Sequence, residues 1–454
     1  MKNSLETSQK ERVSYSFYFL GQGFVYVIVA QHLMFFYTEY AFIPPLVISG
    51  ILFFEKIWDA INDALFGIIM DKVRFKSGKR FLPWLRFATI LLPISTILLF
   101  SINPSIPMTL RIILAILTYA LWDIAYTMCD APIYALSTAM TSDVKERAYV
   151  MTYASVGGTV ATGLATIILV PFFNANGFFK TAVVIAVIAF ITMNMILVTG
   201  KERHHFDEKK EELSLKETWN YVRQNKYLLI FFLYRIISGS ITIQALNYVT
   251  KYCFGNVNYV AYIALVSVIP ILILYANSQK LLRRFNKIQL LRFSIMVTIV
   301  LYALNLVLGY GRDVVYIALM AGVAMMAIFP SILFGSIPSD CIEYMTYKTG
   351  NRKEGITFTL NSFIAKACSA FAAVVTGGVL SFIGYENAEI GMSVEMTKNL
   401  WLMAGLVPII GLGLGLFVLK FYDLKDADVQ IMADANSGKL TREEAEEKLS
   451  CKYK

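Results

Sequence analysis

What this 454-residue chain has little of narrows its function before any motif is read. Only 16% of its residues are charged, where a soluble chain carries roughly a quarter. Of its five cysteines, Cys129, Cys253, Cys341 and Cys368 lie in or at the ends of apolar stretches, and Cys451 lies in the C-terminal tail. That leaves no framework of loop cysteines, so disulfides are not expected. Of the three histidines, His204 and His205 sit in a charged loop without the cysteines or further histidines of a structural metal site, and His32 stands alone in an apolar run. No Walker motif is present, and Gly21-x-Gly23 lacks the strand and phosphate-binding continuation of a nucleotide loop. ATP-driven transport by this chain is therefore not expected. No Ser-His-Asp arrangement can be assembled, so an enzyme is not expected either. The segment MKNSLETSQKERVSYSF shows no small-residue signal cleavage site, which leaves the first hydrophobic span to direct insertion.

What is there is apolar length. The chain is 57% hydrophobic, with a mean hydropathy of +0.58, and stretches of about 20 apolar residues, enough to span a bilayer, recur along it. Twelve spans are expected, near 14–38, 44–71, 82–101, 108–136, 150–173, 179–199, 227–250, 257–277, 288–310, 313–337, 353–384 and 398–421. The fold class is an all-α polytopic membrane protein. Residues 1–200 form one six-helix bundle and 227–421 a second. Between them, 201–226 is a polar linker with a short amphipathic helix on the cytoplasmic surface. Residues 422–454 are a cytosolic tail with a helix-like charge pattern and a Ser-Gly turn. A basic cluster follows the second span of each half, a weak sign of two related halves.

The net charge of +9 could invite a nucleic-acid partner, but its distribution points elsewhere. Lys72, Arg74, Lys76, Lys79, Arg80 and Arg86 form one cluster, Lys280, Arg283, Arg284, Lys287 and Arg292 a second, and Lys348, Arg352 and Lys353 a third. The alternate loops near 39–45 and 102–108 have no basic residue, and those near 174–180 and 251–258 have only Lys180 and Lys251. This is the positive-inside bias. It places the clusters and both termini in the cytoplasm, with the chain integral to the cell membrane and no nucleic acid as partner.

The most informative feature is acidic. Glu55, Asp59 and Asp63 recur every four residues within FFEKIWDAINDALFGIIMD, which puts them on one helical face. Each ionisable group at a bilayer centre costs about 2.5–3.5 kcal/mol on insertion scales, so three on one helix must face an interior that holds something positive. The fourth span repeats the pattern in YALWDIAYTMCDAPIYAL, where Asp123, Thr127 and Asp130 share a stripe with Tyr126 and Tyr134 close by. Pro132 there loosens the helix near Asp130. Asp59, Asp63, Thr127 and Asp130 supply hard oxygen ligands for Na⁺, Li⁺ or a proton. Glu55 and Asp123 read as supporting partners, and an interior salt bridge to Lys56 is the structural alternative. Lys366, alone in SFIAKACSAFAAVVTGG among small residues, reads as an inward cation rather than a snorkelling one.

These segments carry a family resemblance. IWDAINDALFGIIMD with SGKRFLPW, then YTMCDAP, DCIEYMTYKTGNRKEGITF, and AKACSAFAAV with IGY resemble the glycoside–pentoside–hexuronide:cation symporters, over nearly all twelve spans. The resemblance implies a major facilitator fold of two six-helix halves around a midplane site. By motif it implies cation ligands at Asp59, Asp63, Thr127 and Asp130, and a functional lysine at Lys366. It also implies cytoplasmic ionic locks at Asp340, Glu343, Arg352 and Glu354, which break and reform between conformations. The sugar contacts depart from the family pattern. Gln22-Gly23 replace a first-helix Lys-Asp pair, Tyr134 replaces a Trp, Ser155 replaces a fifth-helix Arg, and Asn361-Ser362 replace a Gln-Thr pair. Cation ligands are retained while sugar contacts are not.

The expected function is uptake of a small glycoside with a monovalent cation by alternating access, Na⁺ ahead of H⁺, by a monomer surrounded by lipid and needing no cofactor beyond the coupling ion. Substrate is expected near Gly23, Tyr126, Asp130, Tyr134, Asn361 and Lys366, since aromatic faces and convergent polar groups suit sugars. The rivals are an anionic or amphiphilic substrate, such as a hexuronide or lysolipid held by Lys366, and a non-transporting sensor.

Overall fold

The computed structural model describes residues 5–73, 75–204 and 215–450. Arg74, His205, Cys451 and the middle of the linker lie outside them. Every regular element among the described residues is a helix. Helices α1 Gln9–Glu39, α2 Pro45–Lys72, α3 Leu82–Leu99, α4 Met108–Met140, α5 Val144–Asn176 and α6 Phe178–Thr199 precede the linker, which contributes α7 Leu215–Gln224. Then come α8 Lys226–Ser240, α9 Leu246–Tyr252, α10 Tyr259–Arg284, α11 Lys287–Leu308, α12 Asp313–Met326, α13 Ile328–Thr349, α14 Glu354–Phe382 and α15 Val394–Leu419. The tail forms α16 Asp426–Asn436 and α17 Arg442–Lys448.

Ten helical stretches among the described residues are long and apolar enough to cross a membrane. The two other expected spans are helical too, and each has a reason for standing apart. Helix α2 is interrupted by Glu55, Lys56, Asp59 and Asp63, too many charges for a plain apolar span. The span expected at 227–250 is broken: α8 stops at Ser240 and α9 starts at Leu246, so neither piece is long enough by itself. At the break the chain passes so close to α15 that a Cβ built on Gly411 would lie 2.0 Å from the Ile241 carbonyl oxygen. Only glycine fits there.

Local chemistry explains the helix ends. Helix α1 begins at Gln9 because Ser8 and Glu11 form a capping box, Glu11 N–H donating to Ser8 Oγ at 3.3 Å and Ser8 N–H to Glu11 Oε2 at 2.8 Å. The start of α3, in the SGKRFLPW segment, is capped from a distance. The backbone N–H groups of Arg80, Phe81 and Leu82 donate to Glu202 at 2.6, 2.9 and 2.7 Å, so a carboxylate sits where the helix dipole favours one.

The chain forms two compact units. Unit 1 comprises Met1–Lys209, Gln244–Ala264 and Gly377–Thr397, and unit 2 comprises Lys210–Ile243, Leu265–Thr376 and Lys398–Lys454. In unit 1, α1 lies against α5 and α6 through small residues. A Cβ on Gly157 would stand 2.1 Å from Ser16 O, one on Gly23 2.5 Å from Ala161 Cβ, and one on Gly21 2.2 Å from Thr192 Oγ1. The segments 244–264 and 377–397 join unit 1 through one buried carboxylate. Glu39 has a side chain 0% exposed and accepts from Lys251 Nζ, Tyr385 OH and, at 2.8 Å, Tyr252 OH. Close by, Thr38 pairs with Tyr248 at 2.8 Å, and Asn247 Nδ2 donates to Gln31 O and reaches His32 Nδ1, both at 3.1 Å. A charge this deeply buried is stable only with such a full set of partners. The boundaries of the compact units therefore differ from the sequence boundaries at 200 and 227.

In unit 2, α7 buries Tyr221 and Val222 in the core that includes Tyr227, Tyr344 and Met345, with Trp219 on its open side. The tail packs as well. Met432 of α16 is fully buried in the same core, Asn436 Nδ2 donates to Glu343 O and Oε2 at 3.0 and 2.9 Å, and Gly438 turns the chain with φ of 75°.

Candidate functional site

The polar interior of unit 1 is built by α2 and α4. Thr127 Oγ1 donates to Asp63 Oδ1 at 3.0 Å. The same hydroxyl accepts from Asn62 Nδ2 at 2.9 Å, and Asn62 Nδ2 reaches Asp123 Oδ2 at 3.2 Å. A single amide thereby joins two carboxylates and a hydroxyl in one chain of hydrogen bonds, and fixes which way the Thr127 hydroxyl points. Asn62, Asp123 and Thr127 are buried, while Asp63 is exposed. Asp59, also buried, sits 3.6 Å from Lys56 Nζ on the same helix.

One turn along α4, Asp130 Oδ1 accepts from Gln22 Nε2 of α1 at 2.9 Å. The other end of that amide, Gln22 Oε1, is buried with no hydrogen-bond partner, as is Glu55 Oε2. A buried oxygen left unpaired is costly, about 1–3 kcal/mol, and each is a ready acceptor for a cation, a proton donor or a hydroxyl. Around Pro132, where α4 loses a backbone donor, Tyr18 OH donates to Cys129 O at 3.3 Å and Tyr15 OH to Ile133 O at 2.7 Å.

Aromatic rings flank Asp130. Tyr126 stacks on Trp122 with centroids 5.1 Å apart and planes 20° apart, and Tyr26 of α1 leans on Tyr126 at 5.6 Å. Trp122 Nε1 donates to Thr96 Oγ1 at 3.2 Å, which holds the stack in place. Tyr26 and Tyr134 are each about half exposed, and Tyr134 meets Phe19 edge-on at 5.3 Å.

The structure thus brings the expected residues together unevenly. Asp63 and Thr127 are directly bonded; Asp59 is paired with Lys56 and Asp130 with Gln22. Among the described residues, no group of three His, Cys, Asp or Glu side chains is gathered closely enough to hold a metal ion. Any cation bound there would draw on hydroxyl and amide oxygens as well as carboxylates. Gly23, expected near substrate, has its open side filled by Ala161 and serves helix packing. Asn62 and Tyr26 escaped the sequence reading. Both carried a signal: Asn62 lies inside IWDAIND, and Tyr26 is one helical turn beyond Gln22.

Unit 2 holds the basic part. Arg235 of α8 donates from Nη1 to Asn361 O at 3.2 Å and to Asn361 Oδ1, and its guanidinium carbon lies 4.5 Å from the centroid of Phe334 on α13. Asn361 is held at its other end as well, Nδ2 donating to Phe334 O at 3.3 Å. Both ends of an expected substrate-contacting amide are therefore occupied within the protein. Lys366 is half-buried on α14, between one and two turns past Asn361. Arg235 was absent from the sequence expectations, although a charge inside FFLYRIISG should have drawn notice.

Where α13 ends and α14 begins, Arg352 Nη1 pairs with Glu343 Oε1 and Nε with Glu354 Oε1, both at 2.7 Å. These two bonds, Glu354's first, hold the guanidinium above its ordinary range. Asp340 is bidentate to Lys287 at 2.7 and 2.6 Å. The four expected lock residues thus have these partners inside unit 2.

A many-helix bundle with carboxylates, amides and stacked rings at membrane depth defines a class: a multi-pass membrane transporter. The chain belongs to the MFS/sugar transport protein family, whose model matches residues 14–426, the glycoside–pentoside–hexuronide:cation symporter-like group of major facilitators. It is 28% identical over 441 residues to the uncharacterized symporter YjmB of Bacillus subtilis, covering 94% of this chain and 95% of that one. It is 27% identical over 449 residues to the isoprimeverose transporter of Lactiplantibacillus pentosus, covering 93% and 90%. Among solved structures it is similar to a D-xylose–proton symporter, with a TM-score of 0.63 at 10% identity, covering 91% of this chain and 97% of that one, a likeness of fold alone. The chain is accordingly a cation-coupled transporter and not an enzyme.

Proposed function

We propose that this protein carries a small glycoside into the cell together with Na⁺, by alternating access. The observation that carries the reading is the hydrogen-bonded chain Asp63–Thr127–Asn62–Asp123, with the unpaired Gln22 oxygen beside Asp130. Asp59, Asp63, Thr127 and Asp130 hold the cation, and Asn62 orients the hydroxyl so that its lone pair and the Asp63 carboxylate face the ion together. Buried Asp59 and Asp123 beside the exposed Asp63 present more carboxylates than Lys56 offsets, which favours cation entry. Tyr26 and Tyr126, the latter backed by buried Trp122, offer rings to the apolar face of a sugar, while Gln22 and Asp130 accept its hydroxyls. The name of the isoprimeverose transporter supports a glycoside as cargo.

Lys366 balances the acidic cluster when the cation has left. Asp340, Glu343, Arg352 and Glu354 exchange partners at the cytoplasmic face as the two halves move, and both termini lie on that side. Counterflow of a panel of neutral and charged glycosides in proteoliposomes, with and without Na⁺, tests this. Exchange stimulated by Na⁺ supports it. Exchange indifferent to Na⁺ but accompanied by proton movement would replace Na⁺ by H⁺, and no exchange of any sugar would end the reading.

A further inference from the structure

The C-terminal end of α1 buries a charge that neither the cation nor the sugar uses. Glu39 has a side chain 0% exposed. Among the described residues its donors are Lys251 Nζ, Tyr252 OH and Tyr385 OH, all from the distant segments 244–264 and 377–397 of unit 1. Lys251, at the end of α9, keeps its side chain 34% exposed. Its ammonium lies 5.8 Å from the centroid of the Phe35 ring and 5.1 Å from that of Tyr252. Tyr252 and Tyr385 bond each other at 3.2 Å. Beside them Thr38 pairs with Tyr248, and Ala388 N–H donates to Thr38 O at 3.2 Å.

This seam is polar, which sets it apart from a permanent junction. A buried ion pair holds two helices no better than packed apolar side chains of the same volume. What it adds is reversibility. When the surfaces part, water takes over each bond, and Lys251 already reaches solvent. The two sides of the seam are also anchored differently. On the α1 side, Arg111 of α4 donates to Ala41 O at 2.6 Å and to Phe42 O at 3.4 Å, and Phe42 is held at φ of 52°, a conformation that side chains rarely adopt. A corner fixed in this way stays put. On the other side, segment 244–264 follows the non-helical break between α8 and α9, and segment 377–397 starts at the Gly377-Gly378 pair within α14, where a helix bends readily. The donors of Glu39 arrive on chain that can pivot.

Resting on the alternating-access reading, and on cytoplasmic termini that make the C-terminal end of α1 its outer end, we propose that Glu39, Lys251, Tyr252 and Tyr385 form the transporter's outer gate. The gate is latched in this structure. Helix α9 and the turn at 385–388 are its moving leaf, and the corner at Ala41 and Phe42 is its frame. The strength of the latch sets how often the path opens to the outside.

A native thiol reports on the gate. Cys253 follows Tyr252 directly and is half-buried, with Sγ 3.8 Å from Thr397 O, whereas Cys129, Cys341 and Cys368 are buried. In right-side-out vesicles treated with a membrane-impermeant maleimide, peptide-resolved mass spectrometry reads Cys253 by itself. The wild-type protein should label slowly. Glu39→Gln and Lys251→Gln should each label at least about tenfold faster, the scale of losing hydrogen bonds to a charged group. Tyr385→Phe, which removes one hydroxyl, should label a few-fold faster. Glu39→Lys should label fast, and adding Lys251→Glu to it should restore slow labelling, a rescue that a misfolded chain would not show. Unchanged rates in Glu39→Gln and Lys251→Gln, fast labelling that the charge exchange does not reverse, or labelling of Cys253 in inside-out vesicles only, would overturn the gate. Labelling as expected in a protein that exchanges no glycoside would keep the gate and end the glycoside reading.

Discussion

The interiors of the two units differ in sign. On α2 and α4 the midspan charges are Glu55, Asp59, Asp63, Asp123 and Asp130, with Lys56 the single cation between them; on α8 and α14 they are Arg235 and Lys366. The acidic side is threaded by neutral donors, Asn62, Thr127 and Gln22, that stabilise carboxylates without neutralising them. The basic side is braced by an amide and an aromatic ring, which likewise position a charge and leave it standing. The carboxylates of α2 and α4 outnumber Lys56, and a surplus buried charge is unstable unless something mobile arrives to offset it. A cation suits the acidic surplus. In the cluster around Glu39, by contrast, the carboxylate is met by Lys251, Tyr252 and Tyr385, and no surplus remains.

The comparison breaks most visibly at Asp63. Asp63→Cys should abolish cation-stimulated uptake while some cation-independent exchange survives, read as counterflow with and without Na⁺. Undiminished stimulation by Na⁺, Li⁺ and H⁺ in this variant and in Asp59→Cys would remove both from the cation site. Next in size, Lys366→Val should lose active accumulation, because the acidic cluster would retain its cation or hold one conformation. Neutralising one of Asp59, Asp63 or Asp130 in the same chain should restore part of the exchange, and wild-type accumulation by Lys366→Val at normal expression would make it a structural lysine. A smaller effect belongs to Asn62. Its amide serves two acceptors, each bond contributing about 1 kcal/mol, so Asn62→Ala should raise the Na⁺ concentration for half-maximal stimulation by roughly tenfold with substrate affinity at saturating Na⁺ little changed. The smallest is Tyr126→Ala. An aromatic contact contributes about 0.5–1.5 kcal/mol, so the sugar KM should rise a few-fold while the cation dependence stays put.

The acidic half of this picture was legible in the sequence and the basic half largely was not. Glu55, Asp59 and Asp63 announce themselves because a four-residue spacing has one structural meaning in a helix, and Thr127 follows from the same rule on α4. The helical spans were legible for a similar reason, apolar length being a local property. Asn62 was hidden because it is neutral and one residue off the carboxylate stripe, and its importance lies in a partner 65 residues away. Arg235 is local in signal, but its meaning depends on Asn361, 126 residues distant. The break between α8 and α9 lies where the chain passes close to Gly411, a contact between remote segments, and an empty side chain such as Gly23 reads alike whether a ligand or Ala161 fills the space. Pairings between remote segments are where sequence spacing stops being informative.

The central claim is that the acidic cluster of unit 1 moves Na⁺ with the sugar. Its most direct test is radioactive sodium influx into proteoliposomes with equal Na⁺ on both sides, driven only by an inward gradient of whichever glycoside the counterflow panel selects. The account predicts sugar-driven Na⁺ accumulation that disappears in Asp63→Cys. Sugar entry with no Na⁺ movement, or Na⁺ movement unchanged in Asp63→Cys, would contradict it.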